Sequence, residues 1–209
     1  MVAVVKPEKI QIVVTGGTID KVYDKIEGQL VFQKTMVESL LKQARCRVPV
    51  GLTKVMLKDS LHMSDGDREL VLAAVRKLRA QRVIITHGTD TMVETARVLG
   101  RAGLKKTVVL FGAMIPYAFG NSDAVFNFGT AVAAVQTLPP GVYLTMNGRV
   151  FAWDNVRKNR KDGVFETVKD ETLQEWLEDQ EDIESALRAL KEGGKPIPWA
   201  KLKKQLGLK

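Results

Sequence analysis

The chain of 209 residues has little of several features that define common protein classes. It contains a single cysteine, Cys46, so no intramolecular disulfide can form and the fold must rest on packing. Near its start only residues 2–5 form an apolar run, and no run approaches the roughly 18 apolar residues of a membrane span. We therefore expect a protein that is neither exported by such a signal nor membrane-spanning, with a cytoplasmic location.

Histidine is scarce as well, with only His62 and His87 in the chain. Together with Cys46 these residues cannot make a zinc ligand pattern such as H-E-x-x-H. The turn Gly16-Gly17-Thr18 lacks the third glycine of a dinucleotide-binding loop, and Asp20 comes too early to hold a ribose. We therefore expect neither a metal nor an organic cofactor.

The net charge is +8, of which +7 falls on residues 1–156 and +1 on residues 157–209. A basic surplus can attract anions or nucleic acid. However, the sequence has no RRM, KH, zinc-finger or helix-turn-helix signature, and only 6% of its residues are aromatic. Attraction of a small acidic substrate explains the surplus equally well, so the sequence does not favour a nucleic-acid partner.

Short β-rich apolar runs alternate with stretches of helical period, as in βαβ units. This pattern predicts an α/β fold with a doubly wound, mostly parallel sheet and flanking helices. Each candidate strand is followed by Gly, Asp or Ser, where chains often leave a strand. The five candidates are Ile10 to Val14, Lys54 to Leu57, Val83 to Thr86, Thr107 to Phe111 and Val142 to Met146.

Two helix starts carry the S/T-x-x-E pattern of a capping box, Thr35 with Glu38 and Thr91 with Glu94. Apolar residues then recur at helical spacing and predict the helix faces that lie on the sheet. These faces are Met36, Val37, Leu40, Leu41 and Ala44; Leu70, Val71, Ala74, Val75 and Leu78; and Val125, Phe128, Val132 and Val135.

The end of the chain is organised differently. Residues 170–184 hold eight acidic residues and no basic one, whereas residues 191–209 are basic around two Gly and two Pro. Some apolar residues keep helical spacing here. We therefore expect an α/β domain over residues 1–168 and a charged helical tail, a C-terminal arm, over residues 169–209.

Two hydroxyl-rich turns, residues 15–19 and 86–91, follow the first and third predicted strands. In open α/β sheets reacting groups collect at the carboxyl ends of strands. The glycines allow close backbone approach to a ligand and leave the Thr18 hydroxyl beside backbone N–H groups, an arrangement suited to acyl transfer. A threonine nucleophile needs a base, and a lysine serves if its pKa falls from about 10.4. Either turn alone fits a connector or a helix cap equally well, whereas both together favour chemistry.

These two turns resemble the two signatures of the amino-terminal domain of the bacterial-type L-asparaginases. Three further stretches are similar in order and spacing, namely residues 59–65, residues 112–124 and residues 154–158. The resemblance runs from about residue 9 to about residue 168. The opening Thr15-Gly16-Gly17-Thr18-Ile19-Asp20-Lys21-Val22-Tyr23-Asp24 is similar to the short, single-domain branch of that family.

The resemblance implies specific catalytic roles. Thr18 would be the nucleophile, assisted by Tyr23 on a mobile loop after it. Thr89, Lys158 and Asp90 would form a group of second hydroxyl, base and carboxylate. Taken alone, Lys158 lies in a basic run that is typical of a solvated surface, so its assignment rests on its spacing from the preceding strand and on the resemblance.

The resemblance also implies how a substrate is held. Asp90 would bind the α-ammonium group of an amino acid, and Ser60 its α-carboxylate together with backbone N–H groups of its loop. Asp59, Gly88 and Thr89 complete the expected substrate-binding residues. Leu61 and His62 stand where many longer relatives carry Gln and Asp, so the contacts of this loop need not be conserved.

The implied activity is hydrolysis of L-asparagine to L-aspartate and ammonia through a threonine acyl-enzyme, with glutamine a poorer substrate, in a cytoplasmic homo-oligomer. Two alternatives stay open. One is a non-catalytic amino-acid-binding or interaction module, because residues 184–208 faintly resemble the carboxyl end of small bacterial antitoxins. The other is an amidase subunit that acts on charged tRNA, which the basic body suggests.

Overall fold

The structure is a computed structural model that describes residues 8–168. The predicted helical tail, residues 169–209, lies outside the described residues. The regular elements follow in chain order: β1 Ile10–Gly16, β2 Lys21–Asp24, β3 Gln29–Phe32, α1 Val37–Gln43, β4 Val50–Lys58, α2 Asp65–Lys77, β5 Arg82–Thr86, α3 Met92–Arg101, β6 Thr107–Phe111, α4 Ala124–Thr137, β7 Gly141–Met146, β8 Arg149–Ala152, β9 Arg157–Asn159 and β10 Val164–Glu166.

Six strands form the central sheet in the order β4-β1-β5-β6-β7-β8. The first five pair in parallel, and β8 adds an antiparallel edge. All five predicted strands are present in it, although β4 is longer than predicted. The predicted α/β class with a mostly parallel sheet is confirmed. Two antiparallel hairpins, β2–β3 and β9–β10, were not predicted.

Apolar residues on the two faces of the sheet form two separate cores. Strand residues alternate between the faces, so Val13 and Ile85 pack with α2 and α3, while Ile12 and Ile84 pack with α1 and α4. Helices therefore cover both faces, which makes the sheet doubly wound. Among the described residues, no helix is both long enough and apolar enough to cross a membrane.

Both predicted capping boxes are wrong, because their hydroxyl groups bind elsewhere. The Thr35 hydroxyl donates to Asp20 Oδ1 at 3.0 Å and accepts from the backbone N–H of Val37 at 3.3 Å, but the residue that caps α1 is Met36, whose side chain makes no capping bond. The Thr91 hydroxyl donates to the carbonyl oxygen of Ser60 at 2.8 Å. Neither threonine forms the predicted box, and both donate to residues that are distant in sequence.

A capping box does exist at the start of α2. There Ser64 accepts from the backbone N–H of Asp67, and the Asp67 carboxylate accepts from the backbone N–H of Ser64. The buried face of this helix is also shifted from the predicted one. Leu72 is buried and Leu70 is 58% exposed, so the buried stripe includes Val71, Leu72 and Val75.

Candidate active site

The turn after β1 is built on two glycines with positive φ. Gly16 has φ 101° and Gly17 φ 87°, values that side chains with a Cβ rarely adopt. A Cβ on Gly16 would lie 2.5 Å from the backbone nitrogen of Lys58. The backbone N–H of Gly17 donates to the carbonyl oxygen of Lys58 at 3.0 Å. These contacts hold the turn against the end of β4 and place Thr18 at the start of a 3-10 turn, Thr18–Asp20.

Three loops meet at the carboxyl edge of the sheet. A Cβ on Gly17 would lie 2.4 Å from the backbone nitrogen of Gly88, and a Cβ on Gly88 would lie 2.4 Å from Ser60 Oγ. The loops that follow β1, β5 and β4 are therefore in direct contact, and there is no room for a side chain at Gly17 or Gly88. The structure brings the two predicted hydroxyl-rich turns together, with Ser60 beside them.

The three loops meet at the point where successive strands change from one side of β1 to the other. Strand β1 lies between β4 and β5, so the connection after β1 runs to one side and the connection after β4 returns to the other. A crevice at the carboxyl ends of the strands forms at such a switch point, and ligands bind there in open α/β folds. The sheet topology and the loop contacts thus indicate the same ligand-binding position, at the carboxyl ends of β1, β4 and β5.

Lys158 lies between the two predicted partners on the β5 loop. Its Nζ donates to Thr89 Oγ1 at 2.9 Å and to Asp90 Oδ1 at 2.7 Å. The Lys158 side chain is only 9% exposed, whereas that of Asp90 is 37% exposed. A lysine within a basic run is therefore buried and paired, because β9 pairs with β10 and sets Lys158 opposite the buried Phe165.

Asp59 and Ser60 shape the neighbouring loop. Asp59 accepts from the backbone N–H of Leu61 at 3.0 Å and forms an ion pair with Lys21 of β2. Burial opposes ionisation of Asp59, but these hydrogen bonds and the charge of Lys21 outweigh it and hold its pKa below the ordinary value. Ser60 Oγ is buried and has no hydrogen-bond partner within residues 8–168.

Tyr23 was predicted to lie on a mobile loop after Thr18. In the structure it lies on strand β2 of the first hairpin. The residue is 59% exposed, and its phenol makes no hydrogen bond to any residue of the described part of the chain. The structure thus places Tyr23 on the hairpin that follows Thr18.

Two residues next to Thr18 were missed as candidates. Asp20 is fully buried, and its Oδ1 accepts from the backbone N–H of Met36 at 2.7 Å and from the Thr35 hydroxyl. Burial raises the pKa of Asp20 to about 6 despite these hydrogen bonds. Lys21 ties the hairpin to Asp59. Their partners are distant in sequence, so no local pattern identifies either residue.

His87 has a supporting position inside the same loop. It is fully buried, with Nδ1 2.8 Å from the carbonyl oxygen of Gly88 and Nε2 2.7 Å from Thr95 Oγ1. Burial lowers its pKa to about 4, although the hydrogen bond to Gly88 opposes this. A neutral ring with Nδ1–H donating to Gly88 fits both partners. Within residues 8–168, no group of three or more metal-ligating side chains is gathered.

Comparison with known proteins identifies a family that matches most of the chain. Residues 9–188 match the family model described as Asparaginase, N-terminal, which extends past the predicted domain boundary at residue 168. A glutaminase-asparaginase from Acinetobacter glutaminasificans is 32% identical over 162 residues, which cover 71% of this chain and 49% of the relative.

Two solved structures are similar in fold and sequence. The thermostable L-asparaginase from Thermococcus kodakarensis superposes with a TM-score of 0.69 at 26% identity, covering 77% of this chain and 51% of that one. A probable cytoplasmic L-asparaginase from Campylobacter jejuni superposes with a TM-score of 0.67 at 30% identity, covering 77% and 53%. The chain thus spans about half the length of the relatives that it matches.

Proposed function

The chain belongs to the asparaginase family, whose amino-terminal domain it matches, and we propose that it hydrolyses L-asparagine to L-aspartate and ammonia. One observation carries the proposal. Lys158 donates to both Thr89 and Asp90 at an edge where Gly17, beside Thr18, packs against Gly88. A hydroxyl, an amine and a carboxylate are thereby grouped on a loop that packs against the turn carrying Thr18, and acyl transfer to a threonine uses groups of these kinds.

The proposed reaction proceeds in two steps. Thr18 Oγ attacks the side-chain amide carbon, and its proton passes through the Thr89–Lys158–Asp90 group to the leaving nitrogen. The carbon–nitrogen bond breaks, ammonia leaves, and the acyl group remains as an ester on Thr18. Water then attacks the ester carbon, which releases aspartate and restores the hydroxyl. Backbone N–H groups near Gly17 and Thr89 stabilise the oxyanion of each tetrahedral intermediate.

Substrate binding uses the groups that remain free around this centre. Asp90 Oδ1 is bonded to Lys158, and its other oxygen is available to a substrate ammonium group. The Ser60 hydroxyl is unpartnered among the described residues and suits a substrate carboxylate. Asp59 and Gly88 serve by holding the Ser60 loop, Asp59 through its bond to Leu61 and Gly88 by its close approach to Ser60. In this proposal Tyr23 assists from the hairpin.

The experiment measures ammonia release from asparagine, glutamine and simple amides. Thr18→Ala should lower kcat by at least about 10³-fold, because the nucleophile is lost. Lys158→Met should lower it by about 10²- to 10⁴-fold. Thr137→Ala and Lys77→Met are matched controls, because both side chains are exposed at the carboxyl ends of α4 and α2, away from the grouped residues, and they should keep the activity.

Each outcome separates the remaining alternatives. Normal ammonia release by Thr18→Ala or Lys158→Met would contradict the assignment of that residue. Asparagine binding by calorimetry without ammonia would instead favour an amino-acid-binding module. Ammonia released only when glutamylated or aspartylated tRNA is present would favour the amidase-subunit alternative.

The assembly, location and domain division are parts of the same proposal. Within the described part of the chain, Tyr23 and the Asp90 side chain are accessible to solvent. This accessibility supports a homo-oligomer in which a second copy covers the candidate active site. A cytoplasmic location agrees with the free thiol of Cys46 and is tested by cell fractionation. We also propose that residues 1–168 form the α/β domain and that residues 169–209 form a separate helical tail.

A further inference from the structure

The amino ends of the parallel strands carry a concentration of positive charge. Strand starts lie level with one another, since Ile10 pairs with Val50 and with Arg82, and Arg82 pairs with Thr107. We define the basic end as the segments that reach this edge of the sheet, namely residues 8–10, 42–49, 76–82, 101–107 and 137–140. These segments contain eleven Lys and Arg and one carboxylate, Glu8.

The rest of the described chain has no such surplus. Outside the basic end, residues 8–168 contain twelve basic and fourteen acidic residues. The positive net charge of the described chain therefore belongs entirely to one edge of the sheet. The candidate active site lies at the opposite edge, about 17 Å away along a strand of five residues at about 3.3 Å per residue.

Two half-buried cations organise the loops of the basic end. Lys106 Nζ donates to the carbonyl oxygens of Leu78 at 2.7 Å and Ala80 at 3.0 Å. Arg82 donates to the carbonyl oxygen of Leu138 at 3.0 Å and pairs with Glu8. The only carboxylate of the basic end is thus already neutralised by an inner arginine.

The other nine cations are exposed, and none forms an ion pair within residues 8–168. Charges that only compensated helix dipoles would be confined to the last helical turns. Instead, Arg47, Arg79 and Lys105 stand on the loops that enter β4, β5 and β6. Like charges this close repel one another, which is a cost that binding a polyanion removes.

Three concavities lie along this edge, and each is lined by basic residues. A cavity of about 400 Å³ is lined by Lys42, Arg45 and Arg47, and one of about 410 Å³ by Lys9 and Arg79. A third of about 170 Å³ is lined by Arg82, Lys105 and Lys106. Glu8, which is paired with Arg82, also lines the second and third cavities. The remaining cations of these cavities can contact the phosphates of a nucleic-acid backbone.

The side chains of the basic end indicate which class of partner it binds. The large apolar side chains that are exposed on the described chain lie elsewhere, so the basic end offers no wedge for a membrane and no aromatic platform for unstacked bases. Recognition by charge alone suits a duplex, whose phosphates are outside and whose bases are inside. We propose that the basic end binds the phosphodiester backbone of double-stranded nucleic acid, without reading its sequence.

The test is fluorescence anisotropy with the full chain and labelled 24-base-pair duplexes of RNA and of DNA. We expect a dissociation constant of about 1–100 µM at about 100 mM salt, with affinity falling steeply as salt rises. Lys42, Arg47, Arg79 and Lys105 are replaced together by Gln in the test variant. This variant should bind at least about tenfold more weakly, and its slope of log K against log salt should be less steep by about 3 to 4.

The matched control removes the same charge elsewhere. Lys25, Lys34, Arg160 and Lys161 are exposed residues outside the basic end, and their joint replacement by Gln should leave the salt slope unchanged. Comparison of the RNA and DNA arms identifies which duplex is preferred. Both variants should melt at the wild-type temperature, which shows that the fold is intact.

Several outcomes would overturn the proposal. They are no anisotropy change with about 100 µM protein at about 50 mM salt, or equal loss of binding in both variants. Binding to phosphatidylserine vesicles but not to duplexes would assign the surface to membranes instead. None of these results depends on ammonia release, so the proposed activity is judged separately.

Discussion

Asp20 and His87 are two buried titratable side chains that lie directly behind the candidate active site, and their pKa values are shifted in opposite directions. Burial raises the pKa of Asp20 from 3.8 to about 6, so its contribution to stability is full below about pH 4 and is lost as the pH rises through 6. Burial lowers the pKa of His87 from 6.5 to about 4. Its contribution is full above pH 6.5 and is lost as the pH falls through 4. The two effects oppose each other in the same window.

Single substitutions should reveal the two opposing pH dependences of the free energy of unfolding. A shift of more than two pKa units corresponds to about 3 kcal/mol for each group. Relative to the wild type, the free energy of unfolding of Asp20→Asn should fall by about 3 kcal/mol as the pH drops from 6.5 to 4, because His87 is no longer opposed. His87→Gln should show the reverse trend. Urea denaturation followed by tryptophan fluorescence measures both.

A control substitution excludes a general charge effect. Glu69 is exposed on α2, so Glu69→Gln should keep the wild-type slope. If Asp20→Asn and Glu69→Gln have the same pH dependence, Asp20 does not titrate as its burial indicates. Hydrogen bonds from Lys58 and Ser64 lower the pKa of Asp67 to about 2, so its contribution to stability is full above about pH 4 and is lost as the pH falls through 2.

At the scale of elements, the site depends on the contact between three loops rather than on any one of them. A methyl group on Gly88 would lie 2.4 Å from Ser60 Oγ and 2.6 Å from Ser60 Cβ, so one loop must move. Gly88→Ala should lower the free energy of unfolding by about 1–3 kcal/mol. It should also reduce ammonia release far more than this loss of stability explains, because Thr89 follows directly.

Gly129 is the matched control for this prediction. It is exposed in the middle of α4, and a Cβ there would meet no atom within 4 Å. Gly129→Ala should raise the free energy of unfolding by about 0.5–1 kcal/mol, because alanine favours the helix, and should leave activity unchanged. Equal effects of the two substitutions would contradict a tight loop junction at Gly88.

Local sequence patterns predicted the strands that consist of consecutive apolar residues, but not the elements that depend on contacts between distant segments. Four strands of the parallel sheet, β1, β5, β6 and β7, are mostly buried and appear as apolar runs, so their positions were predicted to within a few residues. The edge strand β4 is only half-buried, and its first four residues were not predicted. Strand β9, Arg157–Asn159, is short and polar, and it exists because it pairs with β10. The capping boxes failed for the same reason, since Thr35 and Thr91 bind distant partners. Tertiary contacts of this kind leave no local signal.

At the scale of the whole described chain, the two edges of the sheet differ in chemistry. The amino edge is cationic, while apolar side chains are exposed around the carboxyl edge that holds the candidate site. Those at the carboxyl edge include Tyr23, Leu61, Met114, Phe119, Phe126 and Val164. The sequence could not show this division, because the residues of each edge come from segments that are far apart in the chain.

The apolar residues of the carboxyl edge predict how the chain associates. Exposed apolar side chains that cluster beside a site mark an interaction surface, and a second copy is the partner that the proposed homo-oligomer requires. Phe119 is 50% exposed in the 3-10 turn Tyr117–Phe119 after β6. Phe119→Ser should therefore lower both the sedimenting mass and the specific activity, and both should recover at higher protein concentration. Leu70→Ser, on the exposed face of α2, should change neither. A wild-type chain that sediments as a monomer at every concentration, with constant specific activity, would show that a single copy completes the site.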